Sequence, residues 1–340
     1  MKQVAIFLLS LTALLAHFRD GNGQSGGQAV YQVLNLPPSA RAAALGGFVI
    51  ASPDNDPSLS YHNPALLNGG MHNQISLNYS NYLADIQYGY LAYARDLGKW
   101  GTAAIGMQHI NYGHFTEANE FGDILGSFSA AEYALNLSYG YRIDSLITIG
   151  ATIRPIYSVL ERYVSWGLSS DLGVQLHRPE SRLALSLAAR NLGWQLSTYA
   201  TPEREPLPLE IMAGMSYQLR HAPFRLHLTA RNLQKFNLRT TAGQLNPDDG
   251  FLDKAGRLVT TSLDHLVAAV EFIPGNLIAL RIGYSFLRRS ELGMADYRGT
   301  AGFSFGGGVN IGRIGLNYSL ASFHPAAVSH TLSLQIGLGK

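Results

Sequence analysis

From residue 74 onward the chain alternates. In QISLNYSNY (74–82), Ile75, Leu77 and Tyr79 fall between Ser76, Asn78 and Ser80. In YALNLSYGY (133–141), Tyr133, Leu135, Leu137, Tyr139 and Tyr141 alternate with alanine, asparagine, serine and glycine. ITIGATIRPIY (147–157) sets Ile147, Ile149, Ala151 and Ile153 against Thr148, Gly150, Thr152 and Arg154. Successive side chains of a strand point to opposite faces, so a period of two marks strands with two unlike faces. The pattern recurs at 86–94, 102–112, 168–176, 183–191, 209–219, 224–232, 266–272, 277–286, 301–311, 313–321 and 329–338. It predicts an all-β chain of about fourteen strands, most of them about 9 to 12 residues long, the reach of a tilted strand across a bilayer.

The connections sharpen this. Those after even-numbered strands are short and turn-like: RIDSL (142–146), HRPESR (177–182), RHAP (220–223) and PGN (274–276). Those after odd-numbered strands include long stretches at 113–132, 192–208, 233–264 and 287–300. Short turns at one end and long loops at the other are the pattern of an antiparallel transmembrane β-barrel. An even strand count puts both termini at the short-turn, periplasmic side, with the long loops at the surface of a Gram-negative cell.

Charge placement separates this reading from a soluble β-sandwich. The five lysines are Lys2, Lys99, Lys235, Lys254 and Lys340, and none falls in a predicted strand. A soluble sheet uses lysine freely, partly to guard its edges. The strand charges Arg154, Asp171, Arg190, Glu210, Arg231, Glu271 and Arg281 all lie on the polar phase. Facing lipid at mid-depth an arginine costs about 2 to 4 kcal/mol; facing a closed lumen these groups can pair with each other. Tyr82, Tyr112, Tyr157 and Phe286 near loop-side ends, and Trp100 and Tyr141 near turn-side ends, suit two aromatic girdles. Only 14% of the 340 residues are charged and the net charge is +2, which argues against nucleic acid as a partner.

Ahead of the strands, residues 1–23 read as an export signal. Lys2 opens it and VAIFLLSLTALLA (4–16) is its apolar stretch, too short to span a membrane. Gly21-Asn22-Gly23 offers a cleavage site. With no cysteine there is no lipid anchor, disulfide or thiolate metal site. Residues 24–73 are too small and polar for a core of their own. They are expected to fold into the lumen as a plug, the barrel following over 74–340. The small side chains of SARAAALGG (39–47) permit close packing on wall glycines, and Asn63-Pro64 starts a tight turn. Arg41, Asp54 and Asp56 are candidates to pair with lumen charges.

SARAAALGG followed by Asn63, Pro64 and Ala65 resembles the hatch of the FadL-type fatty-acid transporter superfamily, fourteen-stranded barrels with a plug. LNLPPSARAAALGG (34–47), DNDPSLSYHNPALLN (54–68), NYLADIQYGYLAYA (81–94), INYGHFTEANEFGDILGSFSAAEYALNLSYG (110–140) and HAPFRLHLTARNLQKFNL (221–238) are similar to the PorQ family of the type IX secretion system. That resemblance implies a non-enzymatic member of a surface attachment complex. Its implied partners are a PorZ-like surface protein, held at the cell surface, and PorV- and PorU-like components, the latter a sortase-like signal peptidase. The alternative is a FadL-like transporter of hydrophobic small molecules. The chain departs from many barrels in ending on Gly339-Lys340 rather than an aromatic residue.

Little in the sequence points to catalysis. Ser329-His330 and His109 are the obvious candidates, but no H-E-x-x-H pair exists, and the G-x-S-x-G spacing of GFSFG (302–306) has no helix after it to make a nucleophile elbow. GFSFGGG (302–308) lies in an alternating strand and is no phosphate loop. The loops carry the more plausible function. Asp248, Asp249 and Asp253 in the longest loop supply oxygens suited to calcium, without an EF-hand pattern. Phe115, Phe121 and Phe128, in the loop 113–132, form a candidate docking surface, as do the three aspartates.

Overall fold

A computed structural model describes residues 29–339 apart from 122, 179, 201, 236–237, 239–258, 276, 293–299 and 325–326. The predicted export signal and Asp248, Asp249 and Asp253 lie outside the described residues. Fourteen antiparallel strands close into one barrel in chain order. They are β1 (Gln74–Leu83), β2 (Ile86–Asp96), β3 (Thr102–Ala118), β4 (Ile124–Arg142), β5 (Ile147–Leu160), β6 (Tyr163–His177), β7 (Leu183–Ser197), β8 (Glu210–Gln218), β9 (Phe224–Ala230), β10 (Leu266–Phe272), β11 (Ile278–Ser285), β12 (Phe303–Ile311), β13 (Ile314–His324) and β14 (Ala327–Gly337). β1 pairs with β14 from Gln74↔Gly337 to Asn81↔His330, so no sheet edge is left within the wall.

The two phases of the alternation take opposite surfaces. Leu77 and Tyr79 are about half exposed on the outside, while Ser76 and Ser80 are fully buried inside. The barrel is therefore inverted relative to a soluble one: its outer surface is apolar and its inner surface is small and polar. No helix among the described residues is long and apolar enough to cross a membrane, which bears only on helices.

The wall is uneven. β3 to β7 are tall, whereas β8 to β12 are shorter. This corrects the predicted loop 113–132. Most of it is strand: His114 pairs with Ser129, Phe115 with Phe128 and Thr116 with Ser127, and the turn is confined to 119–123. The alternation broke at this point because a bulge between Asn111 and His114 inserts a residue and shifts the phase by one. Gly113 takes φ +84° there. Phe115 and Phe128 are thus strand residues, and only Phe121 sits in the turn. The remaining long connections are 198–209, 231–265 and 286–302, the last opening with helix α2 (Phe286–Leu292).

The aromatic girdle also differs from expectation. His109, Tyr133, Tyr157 and Trp166 occupy facing register positions on β3 to β6, with ring centroids 4.4, 6.3 and 4.5 Å apart in turn. Tyr82 and Tyr112 instead turn inward, packed against a buried cluster with Val33, Tyr88 and Ile110. Phe286 stacks edge-on against Tyr284 at the start of α2.

Most of residues 29–72 are buried against the polar face of the strands. The described chain enters at the long-connection end, not at the turn end as expected: Val30 N–H donates to Pro206 O (3.1 Å), and Tyr31 Oη bonds Ser165 at the top of β6 (2.5 Å). It descends through helix α1 (Ala40–Ala44) and short 3₁₀ turns to reach β1 at the turn end. There the last strand also finishes, with Leu338 N–H donating to Asn73 O (2.8 Å).

Candidate functional site

The interior segment is held by shape. Ser39 caps α1 by accepting from Ala42 N–H (3.3 Å). Five residues end in a Schellman closure: Gly47 N–H donates to Ala42 O (2.8 Å) and Gly46 N–H to Ala43 O (3.3 Å), with Gly46 at φ +89°. The alanines allow α1 to lie directly on the wall, where a Cβ on Gly306 would stand 2.6 Å from Ala44 Cβ. Gly283 faces the backbone of Leu45-Gly46 as closely.

The second contact is the Asn63-Pro64-Ala65 turn. Asn63 Oδ1 accepts from Ala65 N–H (3.0 Å), and its amide donates to Ile50 O (2.9 Å). The turn sits on three glycines. Gly140 of β4 faces Gly150 of β5, which faces Gly173 of β6. Side chains at Gly150 or Gly173 would overlap Pro64-Ala65 backbone and the Asn63 amide respectively.

Charge does the rest. The seven lumen charges named from the sequence resolve into pairs and clusters. Arg154 and Asp171 are fully buried and form a bidentate pair, Nη2–Oδ2 2.5 Å and Nη1–Oδ1 3.2 Å. Glu210 accepts from Arg231 Nε (2.6 Å) and Arg190 Nη1 (3.3 Å). Glu271 gathers Arg281 Nε (2.7 Å), Arg41 Nη2 (2.8 Å) and His227 Nε2 (2.9 Å). Arg41 thus ties α1 to β10. Asp54 answers it, pairing with Arg41 and with Arg225 of β9. Burial opposes its ionisation, yet the two guanidiniums hold the Asp54 carboxyl well below the usual range. Asp56 forms no ion pair among the described residues and caps the next turn through Ser58 N–H (3.0 Å). Arg225, His227 and Glu132 drew no attention in the sequence, although each sits on the buried phase of its strand.

Aromatic rings fill the space between these pairs. The Arg154 and Arg190 guanidiniums lie 4.7 and 5.3 Å from the centroid of Tyr61, and Arg231 lies 3.1 Å from that of Phe48. His62 packs beside both rings, 5.1 Å from Phe48 and 5.7 Å from Tyr61. Burial, and then the charges of Arg190, Arg231 and Arg154, keep its imidazole neutral and its pKa well below 6.5. The unfolded chain takes up a proton near pH 6.5 that the folded chain refuses. The contribution of His62 to stability is therefore constant above pH 6.5 and falls as pH drops below it, by up to about 1.4 kcal/mol per pH unit. Urea unfolding in liposomes between pH 7.5 and 5 should show this slope as the difference between the unaltered protein and His62→Phe. Equal slopes for both proteins would contradict the assignment.

Two cavities are lined by described residues. A chamber of about 410 Å³ opens beneath the long connections, walled by Val33, Leu36, Phe48, Ile110, Tyr112 and Phe323. Gln32, Asn35, Arg231, Arg288 and Glu291 also line it, Arg288 lying 4.2 Å from the centroid of Phe323. A cavity of about 610 Å³ opens at the turn end and is polar, bordered by Arg41, Asp54, Arg225, Glu271, Arg281 and Asn317. Pro37 and Phe48 border the first and Arg41 and Asp54 the second, so the segment 37–56 separates them.

The catalytic candidates do not converge. Ser329 faces inward and donates to Tyr82 O (2.7 Å), while His330 faces outward and bonds Tyr318 Oη (2.7 Å). His109 stacks on Tyr133 on the outer surface. Among the described residues no three His, Asp or Glu side chains are grouped to hold a metal ion.

No family model and no curated protein sequence matches the chain. Solved structures do. The P. putida toluene transporter TodX matches with TM-score 0.56 and 13% identity over 90% of this chain and 100% of that one. The CymD monoaromatic hydrocarbon channel matches with TM-score 0.54 and 10% identity over 90% and 99%. At such identities the shared property is the barrel fold.

Proposed function

We propose that the chain is a FadL-like barrel of the Gram-negative outer membrane that takes small hydrophobic molecules into the chamber above its plug. The long connections are then at the cell surface and the turn end with the last strand is periplasmic. The chamber carries the reading: of the two cavities described, the one at the mouth is walled mainly by apolar and aromatic side chains, and the one at the periplasmic end is polar. The fold shared with a toluene transporter and a hydrocarbon channel supports the same reading. The exterior supplies an apolar band, and the strands leave no polar edge in lipid. The test uses the purified barrel in detergent with cis-parinaric acid as fluorescent probe. Saturable binding is expected, weakened about tenfold or more by Val33→Arg, which puts a charge into the chamber. Absence of saturable binding by the unaltered protein would overturn the proposal.

A second reading is an anchor in a type IX attachment complex, holding a PorZ-like surface protein beside PorV- and PorU-like components. The observation that favours it is the β3–β4 hairpin, whose Phe121, Ile124 and Leu125 are 83, 75 and 64% exposed. Co-purification from solubilised outer membrane tests it. Loss of a surface protein on deleting residues 113–130, with the barrel intact, is its expected result.

A further inference from the structure

Among the described residues, no strand pairs with the outer edges of the far end of the β3–β4 hairpin. β3 pairs with β2 only over 102–111, and β4 with β5 only over 130–142. Beyond those limits, among the described residues, the strand pairing of 114–118 and 124–129 is with each other. A two-stranded ribbon standing alone is marginal in water. This one is stiffened from within. Phe115 and Phe128 stack at 5.1 Å. Asn119 closes the turn: its N–H donates to Asp123 O (3.0 Å), and its Oδ1 accepts from the N–H groups of Phe121 and Asp123 (2.9 Å each).

The two edges of the ribbon are not equivalent. On the β4 side Glu161 N–H donates to Ser129 O (3.1 Å), so the neighbouring hairpin begins to cover it. On the β3 side residues 114–118 extend past the short 84–85 turn, where Gly113 meets Asp85, and pair with no second strand among the described residues. The chemistry is one-sided too. Between Tyr112 and Glu132 there is no lysine or arginine, while Glu117, Glu120 and Asp123 lie beside the exposed Phe121, Ile124 and Leu125.

We propose that the β3 edge over 114–118 is a strand-addition site for an extended, basic segment of a second protein. Such a segment continues the sheet through main-chain hydrogen bonds, sets its lysines or arginines against Glu117, Glu120 and Asp123, and covers the apolar tip. A second copy of this chain is disfavoured, because edge-to-edge pairing would bring the same three carboxylates together. An anionic lipid surface is disfavoured for the same reason. The proposal rests on the second reading above, in which this rim meets a protein.

The test is site-specific photo-crosslinking of the full-length chain in native membranes. Benzoylphenylalanine is placed singly at 114, 116 and 118 on the β3 edge, at 127 and 129 on the β4 edge, and at 204 in the β7–β8 connection. Protein adducts are expected at the β3 positions, with little at 127 and 129. Combining Glu117→Lys, Glu120→Lys and Asp123→Lys should reduce them about tenfold or more, and raised salt should weaken them. The crosslinked peptide of the partner should be basic. Equal adducts on both edges, indifference to charge reversal, self-dimers, or lipid adducts alone would overturn the proposal. Protein adducts confined to 204 would overturn it while leaving the anchor reading standing. No protein adduct at any position would remove both. Heat-modifiable migration of each variant confirms that its barrel has formed.

Discussion

Gly150→Leu should leave a closed barrel with its plug displaced. Gly140, Gly150 and Gly173 lie opposite one another on three adjacent strands and form a flat floor for the Asn63-Pro64-Ala65 turn. A side chain at Gly150 would overlap the Pro64-Ala65 backbone, and backbone cannot swing aside as a flexible side chain does. Overpacking costs about 1–3 kcal/mol when the surroundings absorb it. Here three residues within five positions are committed: Asn63 to Ile50 O, Pro64 to Gly150, and Leu67 to Gly140, where an added Cβ would stand 2.8 Å from Leu67 Cβ. The expected outcome is release of this half of the plug. Strand pairing does not depend on it, so the barrel persists. Single-channel recording in planar bilayers should show a wide, steady conductance that the unaltered protein lacks. A cysteine replacing His62 should become reactive to maleimide only in this background. Gly307→Leu is the control: this glycine points outward on β12, and the nearest atom to an added Cβ is 3.6 Å away. Unchanged conductance in a correctly folded Gly150→Leu barrel would contradict the role given to the glycine floor.

The strands were legible because lipid-compatible and lumen-facing positions impose a strict period of two. Both surfaces carry that rule, so fourteen strands could be counted without any neighbour. The heights of the hairpins were not legible. At 113–132 the alternation continues, but the bulge at Gly113 shifts its phase, and a reading that requires unbroken phase stops there. At 158–167 the tight turn at Glu161 (φ 57°) lets both strands run on. The lumen charges followed from their phase, whereas their partners depend on stagger between strands. Arg154 is opposite Ser169 in register, yet its side chain reaches Asp171 two residues away. Arg225 closes an ion pair with Asp54, 171 positions away in sequence, and no local pattern announces it. The glycine floor was hidden for the same reason: its members become neighbours only once the register of β4, β5 and β6 is known. Tyr82 and Tyr112 show the limit of position alone. Both sit at the height of a girdle, but the face they occupy decides that they line the chamber instead.

Asp171→Leu should be the most destabilising single change in the lumen wall. Arg154 and Asp171 have no solvent contact, and the guanidinium is shared further with Asn191 Oδ1 (3.0 Å), with the Asn136 side chain and with the face of Tyr61. Removing the carboxylate leaves a buried cation facing leucine, a loss of about 3–5 kcal/mol. It also strands Asn191 N–H, which donates to Asp171 Oδ1 at 2.7 Å. The pair itself need not stabilise the barrel, since two desolvated ions regain in mutual attraction little more than they lose in hydration. The double variant Arg154→Met/Asp171→Leu therefore should recover most of the loss. Recovery stays incomplete because Asn136, Asn191 and Tyr61 O lose partners, each worth about 1 kcal/mol or more when left unsatisfied. Urea unfolding in liposomes should rank the unaltered protein first, the double variant second and Asp171→Leu last. A double variant no more stable than the single one would mean that Arg154 is not held chiefly by Asp171, and that the plug, through Tyr61, bears on the arginine more than the wall does.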